Sequence, residues 1–541
     1  MSGETVARKL VRMLRDMGVR HVFGVPSGGW VDYMEALRET DGIDFVLTSH
    51  EGGASFMADV CGRLTGVPGV CFGTFGPGAT NLATGVGGAL LDRSPMIALT
   101  DEMPAAMRSR VTQMGIDHQA LFAPITKKTT RLDAANATAI LADAAAVALE
   151  GRPGPVHIGL PSGLSAEPAG AGDLAFVAPQ PPAPDAAALD ALTAAFRAAR
   201  KPVLAIGLGA TRLGIEGRIA ALAERFGLPV VLTPMAKGML PENHPNYAGV
   251  LFHALSDEVG KTHAAADLVV AIGYDPVEFN YESWMRDGLP LASMDIAPVD
   301  IDRARHPVVA EVIGDIAAGL AALEAVQAPR KEWALAEVAA RKAAMFQRMR
   351  PSAGAMGPCA ALEVLRDVLP DDGIMTCDVG AHTHLIGQKW ETPASGRQIM
   401  TNGWSAMGFG LPAAIAAKLC RPDQAVCAVV GDGGFLMTVG ELATAVREKL
   451  PIVILVLTDN DLALIRIKQQ RKQNPIYGTP VRAEGTIGGP SLFGVPVTTA
   501  ATPEALRAAL VEAFAADGPR IVEALVDSRE YDGLVLRKDK P

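Results

Sequence analysis

Two acidic runs carry the side chains best suited to chemistry in this sequence. Asp432 lies inside the run GDGGF, and Asp459 ends the run LVLTD. The residues between them have the pattern of an amphipathic helix followed by a buried strand, which brings the two turns together at the ends of neighbouring parallel strands. Two carboxylates beside a glycine-rich backbone suit a hard divalent cation that holds a diphosphate group. The alternative is a tight turn with capping aspartates.

The elements that must position these turns alternate regularly between strand and helix. Strand patterns such as FVLTSH, PVLAIGLG and PIVILVLTD are each followed by a helix pattern. This alternation predicts an α/β fold with doubly wound parallel sheets. A proline-rich linker at residues 166–184 and a charged helical connector at 330–350 divide the chain. We therefore expect three domains, at residues 1–165, 186–328 and 355–541.

Composition narrows the class of protein. A chain of 541 residues is too long for a single hydrophobic core. Its content of 49% apolar residues is enough to form a core in each of three domains. A net charge of −10 argues against nucleic acid or an anionic membrane as the main partner. The six cysteines show no CxxC spacing, which favours a reducing compartment over a disulfide framework or a zinc site. No uninterrupted apolar run of about 20 residues is present, so the sequence predicts a soluble cytoplasmic protein.

Four further motifs accompany the acidic runs in a fixed order. They are SHEGGASFMADV, FGPGATN, GRPGPVHIGLP and MGFGLPAAIAA, beginning at residues 49, 75, 151 and 407. With them, nearly the whole chain resembles the thiamine diphosphate (ThDP)-dependent 2-oxo acid decarboxylase and acetolactate synthase family. The resemblance implies a pyrimidine-binding, a central and a diphosphate-binding domain. It also implies a homodimer or homotetramer with active sites at the dimer interface. The run AIGYDPVEF looks most like FAD-free catabolic acetolactate synthases, so FAD is not expected.

Glu51 is the main catalytic candidate. It stands between the strand pattern FVLTSH and an apolar helix pattern, where desolvation favours the protonated form of a carboxyl group. The resemblance implies that Glu51 hydrogen-bonds N1' of the thiamine pyrimidine and so generates the imino base that deprotonates C2. The alternative is an exposed acid that interacts with the helix dipole.

The resemblance also assigns the metal and the diphosphate. Asp432, Asp459 and the backbone carbonyl of Asp461 are implied as Mg²⁺ ligands. The turn that contains Gly431, with the amides of Gly433 and Gly434, is implied to hold the diphosphate. His382, in DVGAHTH, occupies a position of diphosphate-contacting side chains, although a capping or surface histidine is the alternative.

Other residues are implied to shape the cofactor. Met407 falls where relatives place a large apolar residue that bends the cofactor into a V, and ordinary core packing is the alternative. Ser405 stands where relatives often have glycine and would offer its carbonyl to the 4'-amino group. Pro26, Thr80 and Asn81 are the implied contacts on the pyrimidine side.

Candidate substrate-side residues come from two loops. Gly28 and Gly29, in GVPSGGW, leave room near the reacting carbonyl and can offer backbone amides to an oxyanion. His118 and Gln119 follow in a turn that would face the cofactor, and His50 is a further candidate proton donor. A lone histidine is more often structural than catalytic. The chain contains no His-His dipeptide of the kind found in pyruvate decarboxylases.

The resemblance implies decarboxylation of a small 2-oxo acid followed by carboligation, as in acetolactate synthase. There are three alternatives. The enzyme could release a simple aldehyde, it could be a 2-hydroxyacyl-CoA lyase that acts on an acyl substrate, or the protein could be a non-catalytic ThDP-binding paralogue. After the metal motif, Arg466, Lys468, Arg471 and Lys472 could attract an anionic substrate group, or they form a solvated helix face.

Overall fold

The first unit is a six-stranded sheet in which every strand pairs in parallel with its neighbours. The computed structural model describes residues 4–173, 176–278, 284–352, 354–482 and 485–535. The strand order is β2-β1-β3-β4-β6-β5, and crossover helices flank the sheet. Its elements are α1 (Val6–Asp16), β1 (His21–Gly24), α2 (Val31–Glu39), β2 (Asp44–Leu47), α3 (Glu51–Thr65), β3 (Gly69–Gly73), α4 (Pro77–Leu91), β4 (Met96–Glu102), α5 (His118–Phe122), β5 (Lys128–Arg131), α6 (Ala137–Leu149) and β6 (Pro155–Pro161).

The second unit repeats this architecture with a different strand order. Six parallel strands lie in the order β12-β11-β10-β7-β8-β9, and a long helix leads from this sheet to the third unit. Its elements are α7 (Ala186–Ala198), β7 (Pro202–Ile206), α8 (Glu216–Phe226), β8 (Val230–Leu232), β9 (Tyr247–Val250), α9 (Ser256–Ala265), β10 (Leu268–Ile272), β11 (Leu291–Asp295), β12 (Val308–Ile313) and α10 (Ile316–Glu324), followed by the connecting helix α11 (Leu335–Arg348).

The third unit has seven strands in the order β14-β13-β15-β16-β19-β18-β17, parallel except for the final β17–β18 hairpin. The predicted α/β fold with three mainly parallel sheets is confirmed. Its elements are α12 (Pro358–Val368), β13 (Ile374–Cys377), α13 (Ala381–Lys389), β14 (Gln398–Ile399), α14 (Gly410–Cys420), β15 (Val426–Gly431), α15 (Asp432–Thr438), α16 (Leu442–Arg447), β16 (Ile452–Thr458), α17 (Ala463–Arg471), β17 (Ser491–Leu492), β18 (Val495–Ala500), α18 (Pro503–Phe514) and β19 (Arg520–Leu525).

The expected domain boundaries remain predictions, since parts of each range lie outside the described residues. These parts are residues 1–3, 279–283, 483–484 and 536–541, and they include the last residue of the AIGYDPVEF run. Along the described chain, no helix has both the length and the apolar character needed to cross a membrane.

The first and third units share one hydrophobic core, built around α3 and α14. The aromatic rings of Phe56 and Phe409 meet edge to face, 5.6 Å between centroids. Helix α3 is buried along most of its length because α4 packs closely on its other side. A side chain on Gly85 of α4 would overlap Ser55 of α3, so glycine at this position permits the close approach.

The single helix predicted between the two acidic turns is wrong. Helix α15 begins at Asp432 itself, and a 3-10 turn at Val439–Glu441 separates it from α16. This break is stabilised by contacts with the first unit, because Ser49 donates a hydrogen bond of 2.7 Å to the Gly440 carbonyl. The local helix pattern is overridden by a partner 391 residues away in the sequence.

Candidate active site

The two acidic turns meet at the carboxyl ends of β15 and β16, which are paired from Val426–Ile452 through Gly431–Leu457. The Asp432 carboxylate accepts the amide hydrogens of Gly433 and Asn460, each at 2.8 Å. One oxygen of Asp459 accepts the amide hydrogen of Asp461 at 3.0 Å. The strand pairing thus converts two distant runs of sequence into one cluster of carboxylate oxygens.

The electrostatics of this cluster favour a bound cation. Burial raises the pKa of Asp432, and burial followed by repulsion from Asp432 raises the pKa of Asp459 to about 7. One carboxylate oxygen of Asp461 is buried without a hydrogen-bond partner. Several oxygen donors that repel one another match the preference of Mg²⁺ and Ca²⁺ for hard oxygen ligands. The donor set therefore fits the predicted divalent cation.

Asp378, which directly follows β13, belongs to the same cluster and was missed by sequence reasoning. One of its oxygens accepts the amide hydrogens of Val379 and Gly408, each at 2.8 Å, and that of Phe409 at 3.3 Å. The other oxygen is buried without a partner, and burial raises the pKa of Asp378 to about 7. A methyl group on Gly434 would overlap this free oxygen. The signal that could have found Asp378 is its place in the run DVGAHTH, where we considered only the histidine.

His382 lies beside the turn that ends β15. A side chain built on Gly431 would come within 3.3 Å of the His382 ring, so glycine leaves the imidazole room against the backbone. The Nε2 atom of His382 is buried without a partner, and burial lowers the pKa of His382 to about 4. His382 is thus a neutral imidazole with one free nitrogen, and its Cε1 and Nδ1 atoms lie next to the Gly431 turn. His382 is 4% exposed, so the prediction of a surface histidine is wrong, whereas diphosphate contact stays a prediction.

An apolar wall stands over Gly433. A side chain on this glycine would lie 2.9 Å from Leu462, 3.5 Å from Met407 and 3.6 Å from Val481. Met407 is only half-buried, so part of its side chain is available to a ligand. The amide of Gly433, predicted to hold a diphosphate, instead donates to the Asp432 carboxylate in this structure.

Ser405 has a backbone conformation that favours glycine. Its φ angle is +54°, in the left-handed region, where a glycine has no steric penalty from a Cβ atom. The Ser405 hydroxyl donates to the Asn402 carbonyl at 2.8 Å, and the residue itself is exposed. A local side-chain hydrogen bond therefore accompanies a conformation that is uncommon for a residue with a Cβ atom.

Two arginines border the acidic cluster. Arg482 donates to the side-chain oxygen of Asn460 at 2.7 Å and lies 3.7 Å from the Asp432 carboxylate. Arg466 forms 3.0 Å ion pairs with Asp461 and Asp532. The Arg466 guanidinium is therefore engaged with the metal motif, whereas Lys468, Arg471 and Lys472 are exposed.

Glu51 is the first residue of α3 and is 8% exposed. One of its oxygens accepts a 2.9 Å hydrogen bond from the Asn81 amide, and the other faces the Cα of Gly78. The structure therefore brings together Glu51 and Asn81, two of the predicted residues. Thr80, next to Asn81 in the first turn of α4, is exposed and donates to the Pro77 carbonyl.

Glu441, also missed by sequence reasoning, connects this region to the third unit. It is 1% exposed, and its carboxylate accepts the amide hydrogens of Ser49 at 3.2 Å and His50 at 3.1 Å. His50 in turn accepts the Gly52 amide hydrogen at 2.9 Å. A buried acid thus fixes the backbone immediately before Glu51. No local pattern predicts this contact, because its partners are distant in sequence.

His118 and Gln119 lie in a buried network rather than in an open cleft. One nitrogen of His118 accepts the Gly76 amide hydrogen at 3.2 Å, and the other bonds to Thr100 at 3.0 Å. Thr100 continues to His157, and Thr129 links His157 to the Gln119 amide oxygen at 2.7 Å. Burial lowers the pKa of His118, so a neutral ring fits both bonds. The predicted proton-donor role is untested, but these side chains already have internal partners.

The glycine loop of the first unit is open to solvent. Gly28 and Gly29 start a 3-10 turn, and a side chain on Gly28 would meet nothing within 4 Å. A side chain on Gly29 would approach the Asp101 carboxylate at 2.8 Å, and Ser27 donates to that same carboxylate. Pro26 is exposed beside them. The loop is therefore accessible at Gly28, and its substrate-facing role stays a prediction.

The predicted residues form two groups within one chain. The first surrounds Glu51, and the second surrounds Asp432. Among the described residues, no hydrogen bond joins the two groups directly, and Glu441 provides the connection between their units.

Comparison with known proteins gives matches along nearly the whole chain. Models of the thiamine pyrophosphate enzyme family match as the N-terminal TPP binding domain at residues 4–121, the central domain at 189–323 and the C-terminal TPP binding domain at 378–524. The acetolactate synthase of Bacillus subtilis is 31% identical over 99% of this chain and 95% of its own length. The catabolic acetolactate synthase of Raoultella terrigena is 31% identical over 96% and 95%. A probable 2-ketoarginine decarboxylase of Pseudomonas aeruginosa is 35% identical over 85% and 83%.

Proposed function

Because the chain belongs to the thiamine pyrophosphate enzyme family of decarboxylases and carboligases, we propose that it decarboxylates a 2-oxo acid and transfers the remaining acyl unit to a second carbonyl. The observation that carries this proposal is the cluster of carboxylate oxygens at Asp432 and Asp459, joined to a family match that covers both cofactor-binding domains. Bound ThDP supplies a carbon nucleophile that accepts the electron pair released with CO₂.

In this proposal Asp432, Asp459 and the Asp461 carbonyl hold Mg²⁺, and the cation neutralises the diphosphate. The high pKa of Asp459 supports this role, since the mutual repulsion that raises it is relieved by a divalent cation. Gly431 and Gly434 keep the backbone open to the diphosphate, and the free Nε2 of His382 supplies a polar partner. Met407 and Leu462 exclude water from one side of the site.

Glu51 is proposed to hold a proton against the pyrimidine N1' atom. Asn81 fixes one carboxyl oxygen of Glu51 at 2.9 Å, which leaves the other oxygen for the cofactor. A wholly apolar neighbour would not orient the carboxyl group in this way. Asn81 is therefore proposed to position Glu51 rather than to contact the reacting carbon.

A second copy of the chain is proposed to complete each site. The Glu51 group and the Asp432 group share no direct hydrogen bond among the described residues of one chain. A homodimer that places the first unit of one copy against the third unit of another brings the two groups to opposite ends of one cofactor. Sedimentation velocity with and without ThDP tests this assembly.

A simple decarboxylase is the second candidate. It is supported by the 35% identity to a probable 2-ketoarginine decarboxylase, a higher identity than that to the two acetolactate synthases described above. Such an enzyme replaces CO₂ by a proton and releases an aldehyde. The two candidates differ in the fate of the acyl unit and not in the residues that bind the cofactor.

The test begins with calorimetric titration of ThDP into the protein in the presence of Mg²⁺. We expect saturable binding that chelation of Mg²⁺ abolishes, and no bound flavin absorbance in the purified protein. Product analysis by NMR with pyruvate and with 2-ketoarginine then separates the candidates. Acetolactate or acetoin supports carboligation, whereas an aldehyde as the only product supports simple decarboxylation. No uptake of ThDP would contradict both.

Glu51→Gln provides the matched control. The variant keeps the size of the side chain and its contact with Asn81 but cannot exchange a carboxyl proton. We expect ThDP binding to persist and turnover to fall by about 100-fold to 10,000-fold, the usual contribution of proton transfer. Exchange of the C2 proton, followed by NMR in deuterium oxide, should slow in parallel. Unchanged C2 exchange would remove Glu51 from its proposed role.

A further inference from the structure

Two cysteines from different units lie with their sulfur atoms in contact. Cys61 of α3 and Cys420, the last residue of α14, are separated by 3.0 Å between Sγ atoms. Both are free thiols, and they are 359 positions apart in the sequence. A disulfide bond has a length of about 2.05 Å, so the sulfur atoms need to approach by only about 1 Å. The folded protein already holds the pair close to bonding distance.

The surroundings make one thiol the better nucleophile. Cys420 is half-buried, whereas Cys61 is only 7% exposed. A hydrogen bond from Cys61 lowers the pKa of Cys420, and the nearby Arg421 guanidinium acts in the same direction. Arg421 also donates to the carbonyls of Cys420 at 3.1 Å and Leu64 at 2.6 Å. A fixed cation therefore bridges the ends of the two helices next to the pair, and cations of this kind favour the reactive thiolate.

A cavity adjoins the same helix ends. Its volume is about 450 Å³, and its lining comes from all three units. Its charged lining residues are Arg63, which is paired with Asp59 and Asp92, and Arg212, Glu216, Arg397 and Arg421. Arg421 directly follows Cys420 in the sequence. Leu64, which also lies in the lining, is three positions after Cys61. Neither cysteine lines the cavity, but the excess of arginine over acid on this neighbouring surface favours the approach of an oxidant with carboxylate groups over a cationic one.

We propose that Cys61 and Cys420 form a reversible disulfide that joins the first unit to the third, and that a low-molecular-weight, anionic disulfide is the oxidant. The Cys420 thiolate attacks one sulfur of the oxidant and expels the first thiolate. The Cys61 sulfur, after losing its proton, attacks the Cys420 sulfur and expels the second. Two protein thiols are oxidised, one external disulfide is reduced, and the two protons end on the released thiols.

The cross-link would act on both halves of the active site. Helix α3 carries Glu51 at its other end, and α14 begins three residues after Met407. A covalent bond at the C-terminal ends of these helices fixes how the helices lie against each other. It also closes a very long loop in the unfolded chain, which raises the temperature of unfolding. The inference does not rest on the proposed reaction.

The test uses the full-length protein and glutathione disulfide as the probe. After incubation, the protein is alkylated and digested without reduction, and peptides are identified by mass spectrometry. We expect a cross-linked peptide that contains Cys61 and Cys420, the loss of two of the six free thiols, and recovery of both after dithiothreitol. The melting temperature should rise on oxidation. Fully reduced peptides, or a Cys420 bond to a second copy of the chain, would overturn the proposal.

Variants separate the two thiols. Cys61→Ala should stop the reaction at a stable glutathione adduct on Cys420, because the second attack is lost. Cys420→Ser should take up no glutathione at either position. Cys427→Ala, which removes a buried thiol of β15, should still form the cross-link. The peptide analysis of the wild-type protein needs no substitution. It therefore decides whether the cross-link forms even if a variant fails to fold.

Discussion

The acidic cluster of the third unit and the histidine network of the first unit are both buried and polar, but they use their polar atoms differently. In the acidic cluster, one oxygen of Asp378, one oxygen of Asp461 and the Nε2 atom of His382 have no partner. In the histidine network, both ring nitrogens of His118 and of His157 are hydrogen-bonded. Buried polar atoms normally have partners, because an unmade hydrogen bond in a protein interior is costly.

This difference indicates that the acidic cluster is a ligand site and that the histidine network is part of the scaffold. In the proposed function, a cation and an anionic ligand would give the free atoms of the acidic cluster their partners. The histidine network is complete without a ligand and fixes the Gly76 turn, which lies in the same FGPGATN run as Asn81. We therefore expect substitutions in the first region to change cofactor binding and those in the second to change stability.

The largest effect is expected for Asp432→Asn. This substitution keeps the side-chain shape but removes one anionic metal ligand, and loss of a supporting residue of a metal site alone typically costs about 10-fold to 100-fold in affinity. We expect ThDP affinity in the presence of Mg²⁺ to fall by at least about 100-fold, measured by calorimetry. Asp190→Asn, at an exposed position of α7, is the control and should bind normally. Equal affinity in both variants would show that Asp432 is not a ligand.

Gly434→Ala is expected to have the next largest effect. The added methyl group would overlap the free oxygen of Asp378, and that carboxylate is held by three backbone amides and cannot easily retreat. Overpacking of this kind costs about 1–3 kcal/mol, so ThDP affinity should fall about tenfold or more. Gly217→Ala on α8 meets nothing within 4 Å and serves as the control. Normal ThDP binding by Gly434→Ala would mean that the free oxygen is not part of the site.

His118→Phe tests the other side of the comparison. It leaves the Gly76 amide without a partner and removes one of the two histidine contacts of the Thr100 hydroxyl, which should lower the free energy of unfolding by about 1–3 kcal/mol in urea titrations. ThDP affinity should change by less than about threefold, since this variant alters scaffold only. A catalytic proton donor would instead lower turnover by about 100-fold or more at unchanged stability. His118→Asn, which retains one acceptor, should recover part of the lost stability.

Whether a residue of the candidate site could be predicted from sequence depended on how far apart in the chain the residue and its structural partners lie. Asp432 and Asp459 were identified because one helix and one strand of ordinary pattern separate them, and adjacent parallel strands then bring their turns together. Asp378 was missed because it joins the cluster only through the pairing of β13 with β15, which no local pattern specifies. The helix break at Val439–Glu441 was missed for the same reason, since Glu441 bonds to Ser49 and His50 of the first unit.

The histidine loop shows the converse limit. His118 and Gln119 have residue types that suit catalysis, but type alone does not reveal whether their polar atoms have internal partners. Those partners come from three other strands, through Thr100, Thr129 and His157. Fold class could be predicted from strand and helix periodicity because each unit repeats the same alternation. Hydrogen-bond satisfaction could not, because it depends on tertiary packing.

The smallest effect, and the most specific, is a pH dependence caused by Asp378. Burial raises the pKa of Asp378 to about 7, well above the value of about 3.9 for an unfolded aspartate. The folded protein therefore retains a proton between about pH 4 and pH 7 that the unfolded chain releases, and its stability falls as the pH rises through this range. Above the folded pKa no further loss from this group is expected. Burial lowers the pKa values of His263 and His384 to about 4, which adds an opposite slope below about pH 6.5, so the test compares the wild type with a variant of Asp378. In chelated, cofactor-free protein, the melting temperature of the wild type relative to that variant should fall from pH 5 to pH 8 in calorimetric scans.

Asp378→Asn is the matched control for this dependence, because the amide resembles the protonated carboxyl group and does not titrate. One side-chain oxygen can still accept the amide hydrogens of Val379 and Gly408. The melting temperature of the variant should vary less with pH and should exceed that of the wild type at pH 8. If both proteins show the same slope, another buried acid such as Asp459 is responsible, since its pKa is also raised to about 7. A wild-type melting temperature that rises relative to that of Asp378→Asn over this range would contradict the assignment of an unpartnered carboxylate at this position.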